Sequence, residues 1–301
     1  MASLRRHRFR AQNGALLALF GRALLGIAAA ILPGASPSWG QVLTPPSTPH
    51  TAPSPDAQTS LSLFAKGETA FFAGRYEDVL AMARTRLEAK DPVKEDAGVL
   101  ALAARTENTR AYLRLTPKAA SAQTKSARAY ARAALARDPV NVEAHLQAAI
   151  SDAVRGGQVG PIRALFGGYA SRARRHLDQA LATAPENFWA LSTSGAWHLE
   201  VARAGGAGVY GADRALGFNQ MIRARALAPD NVAIAYETAL RVLASNNPDW
   251  RAAALDALTV ATQTGAITAA HEAQLRERAV ALARAVEAGP EAVRQFIKTY
   301  A

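Results

Sequence analysis

The chain has 301 residues and a formal net charge of +11; half of its letters are hydrophobic yet only 7% are aromatic. Its apolar content is therefore mostly alanine and leucine, which favour helices over strands and argue against a large all-β core. The absence of cysteine excludes disulfides, thiolate metal ligation and a cysteine nucleophile. Charge is uneven along the chain. Arg5, Arg6, Arg8, Arg10 and Arg22 lie in the first forty residues with no acidic residue, which leaves 30 basic against 24 acidic residues from Gln41 onward. That mild excess reads either as an arginine-rich solvated surface or as a patch for an anionic partner.

The amino terminus is laid out as a secretory signal peptide. A basic stretch through Arg22 is followed by an apolar run from Ala23 to Leu32, the breaker Pro33-Gly34, and small residues at Ser38 and Gly40 that suit cleavage before Gln41. The expected boundaries are a signal peptide at 1–40, then a Pro-rich linker at 41–60 carrying Pro45, Pro46, Pro49, Pro53 and Pro55. Two other readings stay open: an uncleaved anchor over Ala15 to Leu32, at the cost of Arg22 inside it, and export by the Arg5-Arg6 pair. The mature part would lie outside the inner membrane, touching it only through the first segment if that is retained.

Beyond the linker, Pro92, Pro139, Pro185 and Pro229 recur at near-even intervals, which suggests repeats. At fixed offsets before three of them stand Ala127, Ala131, Ala134; Ala173, Leu177, Ala180; and Gly217, Met221, Ala224, each trio with i, i+4, i+7 spacing. Ten residues after each proline come Leu102, Ala149, Gly195 and Ala239, mostly small, so that helices can cross closely. Asn141, Asn187 and Asn231 are placed to cap the next helix.

Asp138-Pro139-Val140-Asn141, Ala184-Pro185-Glu186-Asn187 and Ala228-Pro229-Asp230-Asn231 resemble the inter-repeat junction of the tetratricopeptide repeat, and Gly67, Gly74 and Tyr76 match its first helix and turn. The units here are longer than the family's, with the excess expected near Thr116-Pro117, Gly156 to Gly168, and Gly205 to Gly211. The first unit departs from the pattern: Arg84 falls where a small residue is wanted, and one inserted residue before Leu87 restores the register. The resemblance covers 61–245 and implies an all-α, right-handed superhelix of helical hairpins. Pro248-Asp249-Trp250 should open a helix to about Thr264, Thr268 to Ala288 is amphipathic, and Gly289-Pro290 precedes a short last helix; 246–301 would cap the solenoid.

Motifs for chemistry are weak. Gly206, Gly208 and Gly211 spell G-x-G-x-x-G, but no strand precedes them, so an inter-helix loop is expected. Histidines 145, 176, 198 and 271 are dispersed without metal-ligand spacing, and His198 reads as a packing residue. Arg172, Arg174, Arg175 and His176 form the densest basic cluster, read as a solvated helix face; interleaved aromatics for nucleic acid are missing. The chain is thus expected to be no enzyme, to need no cofactor or metal, and to bind no nucleic acid.

The resemblance implies a concave groove lined by the first helix of each hairpin. Its positions here are Phe64, Glu68, Phe71, Glu143, Leu146, Trp189, Ser192, Tyr236 and Leu240, either a site for a protein or peptide partner or simply core. The expected role is a periplasmic scaffold that binds protein or peptide. Two alternatives stand beside it: a helical-repeat accessory component of a tripartite periplasmic transporter, which Tyr210-Gly211-Ala212-Asp213 faintly resembles, and a small-molecule binder with a pocket between hairpins.

Overall fold

A computed structural model describes residues 54–113, 117–159, 167–265 and 267–300. The expected signal peptide, and the linker as far as Pro53, lie outside them. Among the described residues the chain is all-helical, with no strand. Helix α1 (Pro55–Phe72) already begins inside the expected linker. Its Ser54 side chain accepts from Ala57 N–H, and Pro55 takes the first helical position, where a missing N–H costs nothing. α2 spans Tyr76–Leu87, α3 Asp96–Leu113, α4 Pro117–Arg137, α5 Val142–Gln158 and α6 Tyr169–Thr183. α7 (Phe188–Arg203) leads through a single turn, α8 (Ala207–Tyr210), to α9 (Arg214–Leu227) and α10 (Val232–Ala244). A 3-10 turn at Pro248–Trp250 opens α11 (Arg251–Thr259), whose end widens into a π turn at Val260–Thr264 before Gly265; α12 (Ala270–Ala288) and α13 (Pro290–Tyr300) follow.

The helices pack in sequence-adjacent pairs, α3 on α4, α5 on α6, α7 on α9 and α10 on α11, and the first members α1, α3, α5, α7 and α10 each touch the next in line. The three junctions are built alike. Asp138, Ala184 and Ala228 close the preceding helix by donating to the carbonyls of Ala134, Ala180 and Ala224, and Asn141, Asn187 and Asn231 donate back to the residue before each proline. The three asparagine side chains then accept from Ala144, Ala190 and Ile234 N–H at 2.9 Å, satisfying donors that the next helix would leave unpaired. All three trios are buried, as are Leu102, Ala149, Gly195 and Ala239.

A close crossing joins α7 to α9. A Cβ on Gly195 would meet Gly217 O at 2.7 Å and Met221 Cγ at 2.6 Å, and one on Gly217 would meet Gly195 O at 2.9 Å, so the two backbones touch and only hydrogen fits between them.

The first pair departs from the expected register. Val79, Leu80, Ala83 and Arg86 face inward on α2, so Ala83 supplies the small residue at the crossing, Arg84 is exposed and Leu87 points outward. The inward trio Val79, Ala83 and Arg86 stands one residue farther from Pro92 than the other trios do from their prolines, so the inserted residue lies after Arg86, whose charge an ion pair accommodates. The extra length falls at the expected places in two pairs: in the second, α3 and α4 are long, with Pro117 opening α4, and in the fourth, α8 lies within Gly205 to Gly211.

The C-terminal helices do more than cover the last pair. α12 packs on α10 and also reaches back to α3. At its start, Ala270 sits against the α1–α2 turn, where a Cβ on Gly74 would meet its Cβ at 2.9 Å, and the His271 ring lies 5.6 Å from Phe71. Farther along, Arg278 stacks over Tyr112 at the end of α3. His271, Glu272, Leu275, Ala279 and Leu282 are buried, so one face of α12 packs against the rest of the fold.

Candidate functional site

The expected groove residues on the first helices fall into a buried part and an edge. Phe71, Leu146, Trp189, Ser192, Tyr236 and Leu240 are all at most 3% exposed and belong to the interior. Phe64, Glu68 and Glu143 remain half-buried on α1 and at the start of α5. The structure thus gathers three of the nine at an accessible edge and packs the other six as core.

At the edge, Arg105 from α3 organises the charges. Its Nε donates to Glu143 Oε1 at 2.6 Å, its guanidinium lies over the Phe71 ring at 5.5 Å, and Gln147 Nε2 donates to the same Glu143 oxygen at 2.9 Å. Desolvation raises the pKa of Glu68; Arg105 opposes that rise and Glu143 adds to it. An acid more readily protonated than usual therefore sits beside an aromatic ring, Phe64, whose edge fills the space above Gly98. Next to this layer His271 is 1% exposed and neither ring nitrogen has a hydrogen-bond partner. Burial, reinforced by the Arg105 charge, pushes its pKa down to about 3, so it is a neutral ring that packs.

The buried part holds a polar ladder. Tyr112 OH donates to Glu237 Oε1 at 2.8 Å; Glu237 pairs with Arg241 at 3.0 Å; Arg241 faces Glu200 at 3.6 Å; and Glu200 binds Arg203. Burial alone would lower the pKa of Arg241, but Glu237 and Glu200 outweigh it and hold the guanidinium charged. Above Tyr112, the Arg278 guanidinium lies between two rings, 4.8 Å from Tyr112 and 5.3 Å from Tyr300 of α13. Trp189 Nε1 and Ser192 Oγ are buried without hydrogen-bond partners in the same interior, and the buried Tyr236 lies against Tyr112.

Other charged residues singled out by the sequence are committed to packing. Arg172 pairs with the buried Asp152, which also binds Arg128, each at 3.0 Å, and Tyr169 lies under both cations. Arg174 pairs with Asp178 and covers Trp197. The basic cluster is therefore largely a set of internal ties, of which sequence reading saw only the charge. His198 accepts from Asp213 N–H at 2.9 Å and so fixes the start of α9 against α7. Burial and the Arg174 cation push its pKa down to about 4, which supports its reading as a packing residue.

Sequence reasoning missed one juxtaposition entirely. His145 on α5 and His176 on α6 face each other with Nδ1 atoms 2.9 Å apart, and His145 Nε2 lies 2.9 Å from Pro139 O. A carbonyl only accepts, so His145 carries its proton on Nε2 and His176 donates through Nδ1. Burial, then the neighbouring His145, lowers the pKa of His176. Among the described residues no group of three or more His, Asp or Glu side chains is arranged to hold a metal ion, and no helix is long and apolar enough to cross a membrane. The G-x-G-x-x-G residues lie in the α7–α9 connection around α8, where Gly211 at φ +66° ends the turn.

No protein-family model matches the chain, and no curated protein is significantly similar to it.

Proposed function

We propose that this chain is an exported, non-catalytic binding scaffold of tetratricopeptide-like hairpins arranged as a right-handed superhelix, which holds a protein or peptide partner on the face of its first helices. The observation that carries this reading is the division of that face. The interior carboxylate of Glu237 and the edge carboxylate of Glu143 are engaged by Arg241 and Arg105 of this chain, whereas the same edge presents an aromatic ring, Phe64, on one helix with the half-buried acid Glu68. A ring beside a carboxylate suits a segment with apolar and basic residues. The three like-built junctions support the repeat architecture, and the layout of the first forty residues supports export to the periplasm.

Immobilised chain exposed to an envelope extract should retain a protein that the Phe64→Ser, Glu68→Lys double variant loses while keeping its helical circular dichroism. Equal retention by both would remove the edge from consideration. A second reading, a small-molecule binder, is favoured by the buried, unpartnered Trp189 Nε1 and Ser192 Oγ on α7. A compound that raises the melting temperature of this chain but not of a Ser192→Ala variant would support it over the scaffold.

A further inference from the structure

The last two helices are held with very different firmness. α12 buries five side chains, whereas α13 buries only Val293, at 9% exposure; Phe296, Ile297 and Tyr300 are half-buried against the main core. These four residues form one stripe with i, i+3, i+4, i+7 spacing, the pattern by which an amphipathic helix lies in an apolar groove. On the opposite face Glu291 and Arg294 pair with each other in solvent. α13 is joined to α12 through Gly289, whose φ of +109° is a conformation that residues with a side chain rarely adopt, followed by Pro290. Its seat is formed by α10 and α12, and Tyr300 completes the sandwich around Arg278.

We infer that α13 is a resident occupant of a helix-docking groove on α10 and α12, which it vacates for a partner's amphipathic helix carrying the same four-residue apolar stripe and ending in an aromatic residue that stacks on Arg278. The inference rests on the scaffold reading above and names the partner's chemistry: its amphipathic helix binds at the α13 seat on α10 and α12. A single-glycine tether gives α13 an effective local concentration on the order of millimolar, so an external helix of equal intrinsic affinity is kept out until α13 is weakened or the ligand offers more contacts. Tyr300 sets the specificity, because Arg278 is already oriented by stacking on Tyr112 and by facing the carbonyls of Tyr112 and Leu113 at 3.4 Å. A ring delivered there meets a preorganised cation.

The test uses the full chain and a fluorescent peptide with the sequence of residues 289–301. Peptide binding is followed by anisotropy to the wild-type chain and to a Phe296→Ala, Ile297→Ala double variant, whose fold is checked by circular dichroism and by hydrogen exchange of α5 to α9. The variant should bind the peptide at least about tenfold more tightly than wild type. A peptide with Tyr300→Ala should bind the variant at least about threefold more weakly, and one with Phe296→Ser and Ile297→Ser should not bind. In wild type, α13 amides should exchange well before those of α12. Equal binding to both proteins, a folded variant that ignores the peptide, or α13 amides as protected as α12 would overturn the inference. Dimerisation of the variant that the peptide abolishes would also overturn it, by making a second copy the occupant. Failure here leaves the Phe64 and Glu68 capture experiment intact, and failure of that experiment leaves the α13 seat measurable.

Discussion

The paired helices α1 to α9 and the terminal pair α12–α13 answer the same problem, fixing one helix against another, with opposite materials. In the hairpins the crossings are lined by alanine and glycine, with backbone meeting backbone at Gly195 and Gly217, and three junctions are locked by an asparagine cap. α13 instead rests on a thin apolar stripe and one stacked arginine. Small-residue crossings tolerate no change in volume, whereas a stripe of half-buried side chains can be lifted without leaving a buried charge behind. The hairpins are thereby suited to be the frame, and the terminal helix to be the part that moves.

Four substitutions break or sharpen this contrast, in descending order of effect. Asp96 is fully buried where α1, α2 and α3 meet, accepting from Arg86 Nε at 2.5 Å, Ser60 Oγ at 2.6 Å and Val93 N–H at 3.1 Å. Burial pushes its pKa upward, but these bonds outweigh it and hold the carboxyl below its usual range. Asp96→Ala strands the Arg86 charge and should cost about 3–5 kcal/mol in urea unfolding; a loss near zero would mean that the frame is not held by such ties. Gly195→Val drives a branched side chain into Gly217 O and should cost about 3 kcal/mol, with an unchanged urea midpoint as the contrary result.

His271 tests the joint between the two regions. Its folded pKa of about 3 lies below the unfolded value near 6.5, so the folded state binds fewer protons. The stability it permits is full above about pH 6.5 and is lost as pH falls toward 3. His271→Phe should therefore flatten the acid limb, gaining about 2 kcal/mol at about pH 5 relative to about pH 7.5, read from urea midpoints at the two pH values; parallel curves for variant and parent would show that the ring takes up protons without opening α12. Smallest is Asn187→Ala, which removes the α7 cap and should cost about 1 kcal/mol, visible as a modest drop in melting temperature and absent if water replaces the amide.

Much of the frame was legible in the sequence, because the size of a side chain at a helix crossing is a local requirement that recurs with the repeat. Asn141, Asn187 and Asn231 could be placed as caps, and Gly195 and Gly217 as crossing residues, from spacing alone. The register of α2 was not legible: Arg86 faces inward only because Asp96, ten residues on, neutralises it. The amphipathic stretch from Thr268 to Ala288 was visible, but the surface it covers was not, since no period links Arg278 to Tyr112, 166 residues away. For the same reason Phe64, Phe71 and Trp189 could be read as groove or as core, and only Phe71 and Trp189 are core. His145 and His176 stayed apart on paper because 31 residues separate them, while the α5–α6 crossing sets them face to face.

The threading of α12 past Tyr112 and Phe71 also has a bearing on how the chain reaches this state. Solenoids assemble by nearest-neighbour zippering and fold quickly because every contact is short-range. Here α12 follows all the paired helices in the chain, so Tyr112 and Phe71 stay uncovered until it has been made and has docked. Chains cut short before α12 would expose an apolar lining suited to chaperone capture.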